Sequence, residues 1–154
     1  MGYVEELRKL VGHRPLILFG AVVLLLDEKE HVLLQQRTEP RGRWGLPGGL
    51  MELGESPEDT ARREVFEETG MQVQQLQLLD VYSGPNYFVK LANGDEFQTV
   101  TATYYTHAYE GELTVNRSEA YALQFFDIHK LPEDMVGSHK RMVEAYALLG
   151  RKNG

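Results

Sequence analysis

Four charged residues in one short stretch, Arg63-Glu64 and then Glu67-Glu68, carry the clearest chemistry in the chain. On a helix, at about 100° per residue, their three carboxylates fall on one side. Glu64 and Glu68 are then neighbours at i and i+4, and like charges so placed cost a helix about 0.2–0.5 kcal/mol. A hard divalent cation offsets that repulsion, since Mg²⁺ commonly takes one or two carboxylates together with waters and phosphate oxygens. Arg63 orients rather than neutralises: it pairs with Glu67 one turn on, or reaches another carboxylate of the site and fixes its rotamer. Upstream lie Leu46-Pro47-Gly48-Gly49 and a separate Glu55, which a merely solvated helix face does not require. The paired glycines make a tight turn, or they let the backbone approach a ligand, with a bare carbonyl as a further metal ligand.

The helix that must hold these acids is marked at both ends. Ser56 is a good N-cap, Pro57 suits the first helical position, and Asp59 completes a Ser-x-x-Asp capping pattern. Gly70 stops the helix. Between them Ala61 and Val65 form an apolar stripe, with Phe66 at its margin.

Around this helix the chain has 154 residues and 42% hydrophobic content, enough for one compact domain over residues 1–154. Sixteen Lys and Arg stand against 23 Asp and Glu, a net charge of −7, which disfavours a nucleic-acid polymer as partner. Small phosphates remain accessible through a bound metal. The absence of cysteine excludes disulfides, thiolate metal sites and a cysteine nucleophile. No signal-peptide core is visible, and the apolar run near residues 15–26 is too short to span a bilayer, so a cytoplasmic protein with no membrane partner is expected.

In chain order, Val4, Leu7, Leu10 and Val11 mark an amphipathic packing helix ended by Gly12 and Pro15. Leu16 to Leu26 reads as a central strand buried on both faces. A turn at residues 27–30 precedes a strand from His31 to Gln36, expected to return antiparallel. The basic loop that follows offers Arg37, Arg41 and Arg43 to phosphates, and Trp44 is expected to pack rather than stack a base. After the helix, Val73 to Ser83 reads as one strand and Gly84-Pro85-Asn86 as a turn. Tyr87 to Leu91 and Phe97 to Tyr109 flank Asn93-Gly94-Asp95, a strong hairpin signal. Tyr82, Tyr87 and Phe88 flank a loop and are candidates to stack on a nucleobase. Leu123 to Ile128 is a last strand, and Ser138 caps a final helix whose Met142, Val143, Tyr146 and Leu149 face inward. The five histidines show no paired spacing, so none is assigned as a ligand.

Gly49, five residues, Glu55, seven residues, then Arg63-Glu64-Val65-Phe66-Glu67-Glu68-Thr69-Gly70-Met71 resembles the Nudix box at every fixed position. Seven fixed residues at about 6% usage each recur by chance on the order of 10⁻⁹ per starting position. The resemblance implies an α+β Nudix fold, an α/β/α sandwich with a mixed sheet between helices. It also implies Mg²⁺, or Mn²⁺, and hydrolysis of a nucleoside diphosphate linked to another group. Carried over, it makes Glu64 and Glu68 metal ligands or the base, Glu67 a further ligand, Arg63 an orienter and the Gly48 carbonyl a ligand. Family members recruit a carboxylate from outside the box; by rough position this is Glu119, with Glu112 behind it. Arg37, Arg43, Tyr82 and Tyr87 are the candidate substrate contacts.

The lack of cysteine argues against an isopentenyl diphosphate isomerase of this fold, and the intact box against a nucleotide-sensing module. For the substrate, Pro85 lies fifteen residues after Gly70 and resembles the mark of ADP-ribose hydrolases, while Tyr87 resembles that of diadenosine polyphosphate hydrolases. ADP-ribose or a related nucleotide sugar is favoured, with an adenine or ribose between Tyr82 and Tyr87. A MutT-type role on oxidised nucleoside triphosphates stays open. The expected assembly is a monomer or a homodimer.

Overall fold

The computed structural model describes residues 2–39 and 41–153, with side chains to residue 149; Pro40 of the basic loop lies outside them. Its centre is β1 (Leu16–Leu25), paired parallel to β8 (Glu96–Thr106) from Leu16↔Phe97 to Leu25↔Thr106. On its other edge β1 pairs antiparallel with the short β4 (Gly48–Leu50) at residues 20–22. β6 (Gln77–Tyr82) and β7 (Phe88–Lys90) both pair antiparallel with β8, at its two ends. A second sheet runs β10 (Ala120–Asp127), β2 (His31–Arg37), β3 (Trp44–Gly45), and β5 (Gln72–Val73) pairs with β9 (Tyr109–Glu110).

Alternation along β1 explains the layers. Ala21, Val23 and Leu25 face α2 (Pro57–Thr69) and pack with its Ala61 and Val65. Val22 and Leu24 face α3 (Gly137–Asn153) and pack with its Met142, Val143 and Tyr146. A strand covered on both faces must be apolar at consecutive positions, as this one is from Ala21 onward. The helix–sheet–helix sandwich with a mixed sheet is therefore as expected.

Several expectations change. The turn at residues 27–30 forms, with Asp27 Oδ1 accepting from the Lys29 and His31 amides. β2 nevertheless does not form a hairpin ladder with β1; they share one bridge, Leu26↔Val32. β8 and β4 already occupy the edges of β1, so β2 diverges to pair with β10 and β3. The strand read from Val73 to Ser83 is broken at residues 74–76, where the Gln74 amide turns to donate to Ala108 O. Pro85–Tyr87 is a 3-10 turn, so the hairpin strand starts at Phe88. The hairpin itself is present, with Gly94 at φ 97° and the Leu91 amide donating to Asp95 O. Ser138 lies inside the first turn of α3, one residue past its start.

The first helix, α1 (Tyr3–Val11), buries no residue, and Leu10 is 85% exposed. Polar ties hold it instead: the Tyr3 amide donates to Glu52 Oε2, and Arg8 Nη2 donates to Glu96 O. No helix among the described residues is long and apolar enough to cross a membrane.

Candidate functional site

α2 is built by its local sequence. The Ser56 hydroxyl accepts from the Asp59 amide at 3.1 Å and the Asp59 carboxylate from the Ser56 amide at 3.0 Å, a reciprocal capping box. Gly70 ends the helix in the left-handed region at φ 79°. The buried stripe of Ala61 and Val65 then turns the acidic face toward β4.

Gly48 and Gly49 form strand rather than a simple turn; backbone contact demands glycine at Gly48, while at Gly49 a side chain would displace the Glu64 carboxylate. A Cβ on Gly48 would lie 2.2 Å from Ala21 O, and one on Gly49 would lie 2.4 Å from the Glu64 carboxyl carbon. Glu64 is thus pressed against the glycine strand. Glu68 is 5% exposed, and its Oε2 accepts from the Gly48 amide and from Gln35 Nε2, both at 2.9 Å. Burial raises the proton affinity of Glu68, pushing its pKa up to about 9; the Gly48 hydrogen bond opposes this, the charges of Glu64 and Glu119 add to it, and Arg37 opposes it. Burial likewise raises Glu64, against the pull of Arg63.

Arg63 does more than either sequence alternative required. It donates from Nε and Nη2 to Glu55, from Nη1 to Glu64 at 2.8 Å and to Glu67 at 3.3 Å, and from Nη2 to Leu50 O at 3.1 Å. Glu55 in turn accepts from the Glu52 amide and the Thr60 hydroxyl. Box loop, glycine strand and helix are tied to one guanidinium.

A cavity of about 950 Å³ opens on this cluster and is lined by Gly48, Glu68, Glu119, Arg37, Arg43 and Tyr87 among others. With Gly49 and Phe88, which line it too, eight of the sequence candidates thus share one space. Glu119 reaches it from a loop held by the Thr38 amide and hydroxyl, which donate to Glu119 O at 3.1 Å. Glu112 does not line it; its carbonyl sits against Gly70 at the far end of α2. Arg63, Glu64 and Glu67 do not line the cavity, and the Glu67 side chain is 53% exposed.

Tyr82 does not line the cavity. The rings of Tyr82 and Tyr87 are 6.1 Å apart and tilted by 40°. A base between them needs two contacts of roughly 3.5–4 Å and near-parallel planes, so the expected sandwich has no room. Tyr87 instead lies under the Arg141 guanidinium at 5.5 Å. Trp44 packs edge-on against Phe126 at 4.9 Å, as expected for a packing residue.

Three residues of the site escaped the sequence reading. Gln35 reaches Glu68 from β2, where its one signal is a polar side chain on the buried face of an apolar strand. Arg141 and His139 enter from α3. His139 is buried, its Nδ1 accepts from the Leu46 amide at 3.0 Å, and burial with the nearby Arg37 charge pushes its pKa down to about 3. It is a neutral structural acceptor.

The donor set suits a hard cation. The Glu68 carboxyl is buried and lines the cavity, the half-buried Glu64 stands beside it against the glycines of β4, and nearby positive charge only partly offsets the two. Among the described residues no three acidic, histidine or cysteine side chains converge as a closed cage. Mg²⁺ does not need one, because it dehydrates reluctantly and keeps several waters.

The NUDIX domain family model matches residues 18–146. A Bacillus subtilis protein provisionally named 8-oxo-dGTP diphosphatase is 30% identical over 135 residues, which cover 88% of this chain and 80% of that protein. An ADP-ribose pyrophosphatase of Methanocaldococcus jannaschii is 30% identical over 132 residues, 85% of this chain and 72% of that one. The crystal structure of a MutT NUDIX hydrolase from Burkholderia pseudomallei superposes with a TM-score of 0.72 at 28% identity, covering 86% of this chain and 98% of that one. With a matching box, a matching fold and relatives along most of its length, the chain belongs to the Nudix hydrolase family.

Proposed function

We propose that the protein hydrolyses a pyrophosphate bond in a small nucleoside diphosphate derivative with Mg²⁺, or Mn²⁺, as cofactor. The observation that carries this is the single cavity shared by Glu68, Glu119, Gly48, Arg37 and Arg43. Phosphorus in a pyrophosphate is shielded by anionic oxygens, so the site must supply positive charge and an aligned water. Arg37 and Arg43 bind phosphate oxygens from one wall. Glu64, Glu68 and the Gly48 carbonyl would hold the cation, with Glu67 as a further ligand from the helix and Glu119 from its loop. When bound, the cation neutralises phosphate charge and lowers the pKa of the attacking water. One carboxylate of the Glu64 and Glu68 pair takes the proton released by that water. Arg63, braced by Glu55, keeps the Glu64 carboxylate in place throughout.

The substrate we favour is ADP-ribose or a related nucleotide sugar. Supporting it are Pro85, the size of the cavity, which lies at the upper end of the roughly 300–1,000 Å³ range of ligand sites, and the M. jannaschii relative. The B. subtilis relative's name favours a second reading, a MutT-type hydrolase of nucleoside triphosphates. A panel of nucleotides assayed with Mg²⁺ decides between them. AMP plus ribose 5-phosphate from ADP-ribose is the expected result; pyrophosphate from triphosphates, with ADP-ribose untouched, establishes the other.

A further inference from the structure

Gln35 occupies a strand position that packing alone would make apolar. It lies two residues from the fully buried Leu33, hence on the same face of β2, and is itself 4% exposed. One end of its amide is accounted for, with Nε2 donating to Glu68 Oε2 at 2.9 Å. The other end is not. Among the described residues Gln35 Oε1 is buried without any hydrogen-bond partner. Turning the amide end for end does not help in the ionised form of Glu68 that a cation requires, because Glu68 Oε2 accepts from the Gly48 amide and would then face a second acceptor. A buried carbonyl is seldom left orphaned, and a methionine of the same length would avoid the cost.

The orphan is not remote from the chemistry. Gln35 lines the same cavity as Glu68, Gly48 and Glu119. Both hydrogen bonds that Glu68 receives land on Oε2, which leaves its Oε1 for a ligand.

We infer that Gln35 is a positioning residue for the divalent cation: its amide N–H locks Glu68 with Oε1 presented to the ion, and its own Oε1 accepts a hydrogen bond from the ion's hydration shell. This rests on the reading of Glu68 as a ligand. Water polarised by a cation is a strong donor, and partners of this outer kind fix ligand orientation at metal sites. A substrate hydroxyl would satisfy the same oxygen, but only with substrate bound.

The test is Mn²⁺ binding to the full chain without nucleotide, with free ion followed by electron paramagnetic resonance and the metal-free melting temperature recorded alongside. Gln35→Met removes both amide groups at constant length; Gln35→Asn keeps them but draws them back. The Kd for Mn²⁺ is expected to rise about 10–100-fold in Gln35→Met and by a smaller factor in Gln35→Asn. A merely structural glutamine would move the melting temperature and leave the Kd alone. A Kd within twofold of wild type in Gln35→Met overturns the inference, and if that variant does not fold, the same threshold applied to Gln35→Asn decides. Failure of the wild type to bind Mn²⁺ overturns the ligand reading of Glu68 as well, whereas wild-type binding with unaffected variants overturns the role of Gln35 alone.

Discussion

The Arg63 guanidinium grips the Glu55 carboxylate in a two-point fork, Nε to Oε2 at 2.6 Å and Nη2 to Oε1 at 2.9 Å. Charge-assisted pairs of this planar geometry are among the stronger hydrogen bonds in proteins, and a lysine cannot reproduce them. Glu55 lies before the helix and Arg63 within it, so the fork fastens the box loop to the acidic face. The fork also holds the Glu55 carboxyl well below the usual carboxylate range, at about 2.

That shift makes the loop sensitive to acid. A carboxylate whose folded pKa is depressed contributes stability that is present above its unfolded pKa, near 4.5, and is lost as pH falls through its folded value, near 2. Urea unfolding from pH 6 down to pH 2 should therefore show a loss in the wild type that Glu55→Gln lacks. Parallel stability curves for the two proteins over that window would contradict the fork's role.

Glu68 is expected to behave in the opposite sense. Burial opposes its charge, and Glu64 and Glu119 add to that opposition. Without metal, Glu68→Gln should keep or slightly raise the melting temperature at neutral pH, because folding makes the buried Glu68 take up a proton that its unfolded form has lost, a cost an amide of the same shape does not carry. Turnover should fall by orders of magnitude, since the substitution removes a ligand or the base. Near-normal turnover would remove Glu68 from the machinery.

Glu119 shares the cavity with Glu68 but lies on a separate loop, so it tests how the site is completed. Glu119→Gln should raise the Mg²⁺ concentration needed for half-maximal rate while leaving the metal-free melting temperature close to wild type. An unchanged Mg²⁺ dependence would assign the outer ligand elsewhere; Glu112, set against Gly70, is poorly placed to inherit it.

What could be read from sequence here divides by the range of the interaction. The α2 caps, the Gly70 stop and the Asn93-Gly94 hairpin each depend on residues a few positions apart, and all are present. The acidic face followed from helical spacing. By contrast, β1 pairs with β8 across some 80 residues, and that pairing decides that β2 cannot lie along β1. Leu46 and His139 meet across a separation of 93 residues, and Gln35 and Glu68 across 33. No local pattern marks such partners. The Tyr82 and Tyr87 sandwich failed for a related reason: both rings sit beside the 3-10 turn, but their mutual packing depends on the core beneath them.

Tyr87 lines the cavity, as does the more exposed Phe88, while Tyr82 does not. With Arg141 over the Tyr87 ring, a base or ribose would meet a tyrosine already paired with a cation, and the guanidinium would be free to shift toward phosphate. Stacking on an aromatic is worth about 1–3 kcal/mol per base, so Tyr87→Ala should raise KM for ADP-ribose by about 5- to 150-fold. Because Tyr87 touches none of the acidic residues through hydrogen bonds, the Mg²⁺ concentration for half-maximal rate should not move. Steady-state kinetics at saturating and limiting Mg²⁺ separate the two quantities. A KM unchanged by the substitution would place the base elsewhere in the cavity, and a shift in Mg²⁺ dependence instead would mean that Tyr87 supports the acidic cluster rather than the nucleotide.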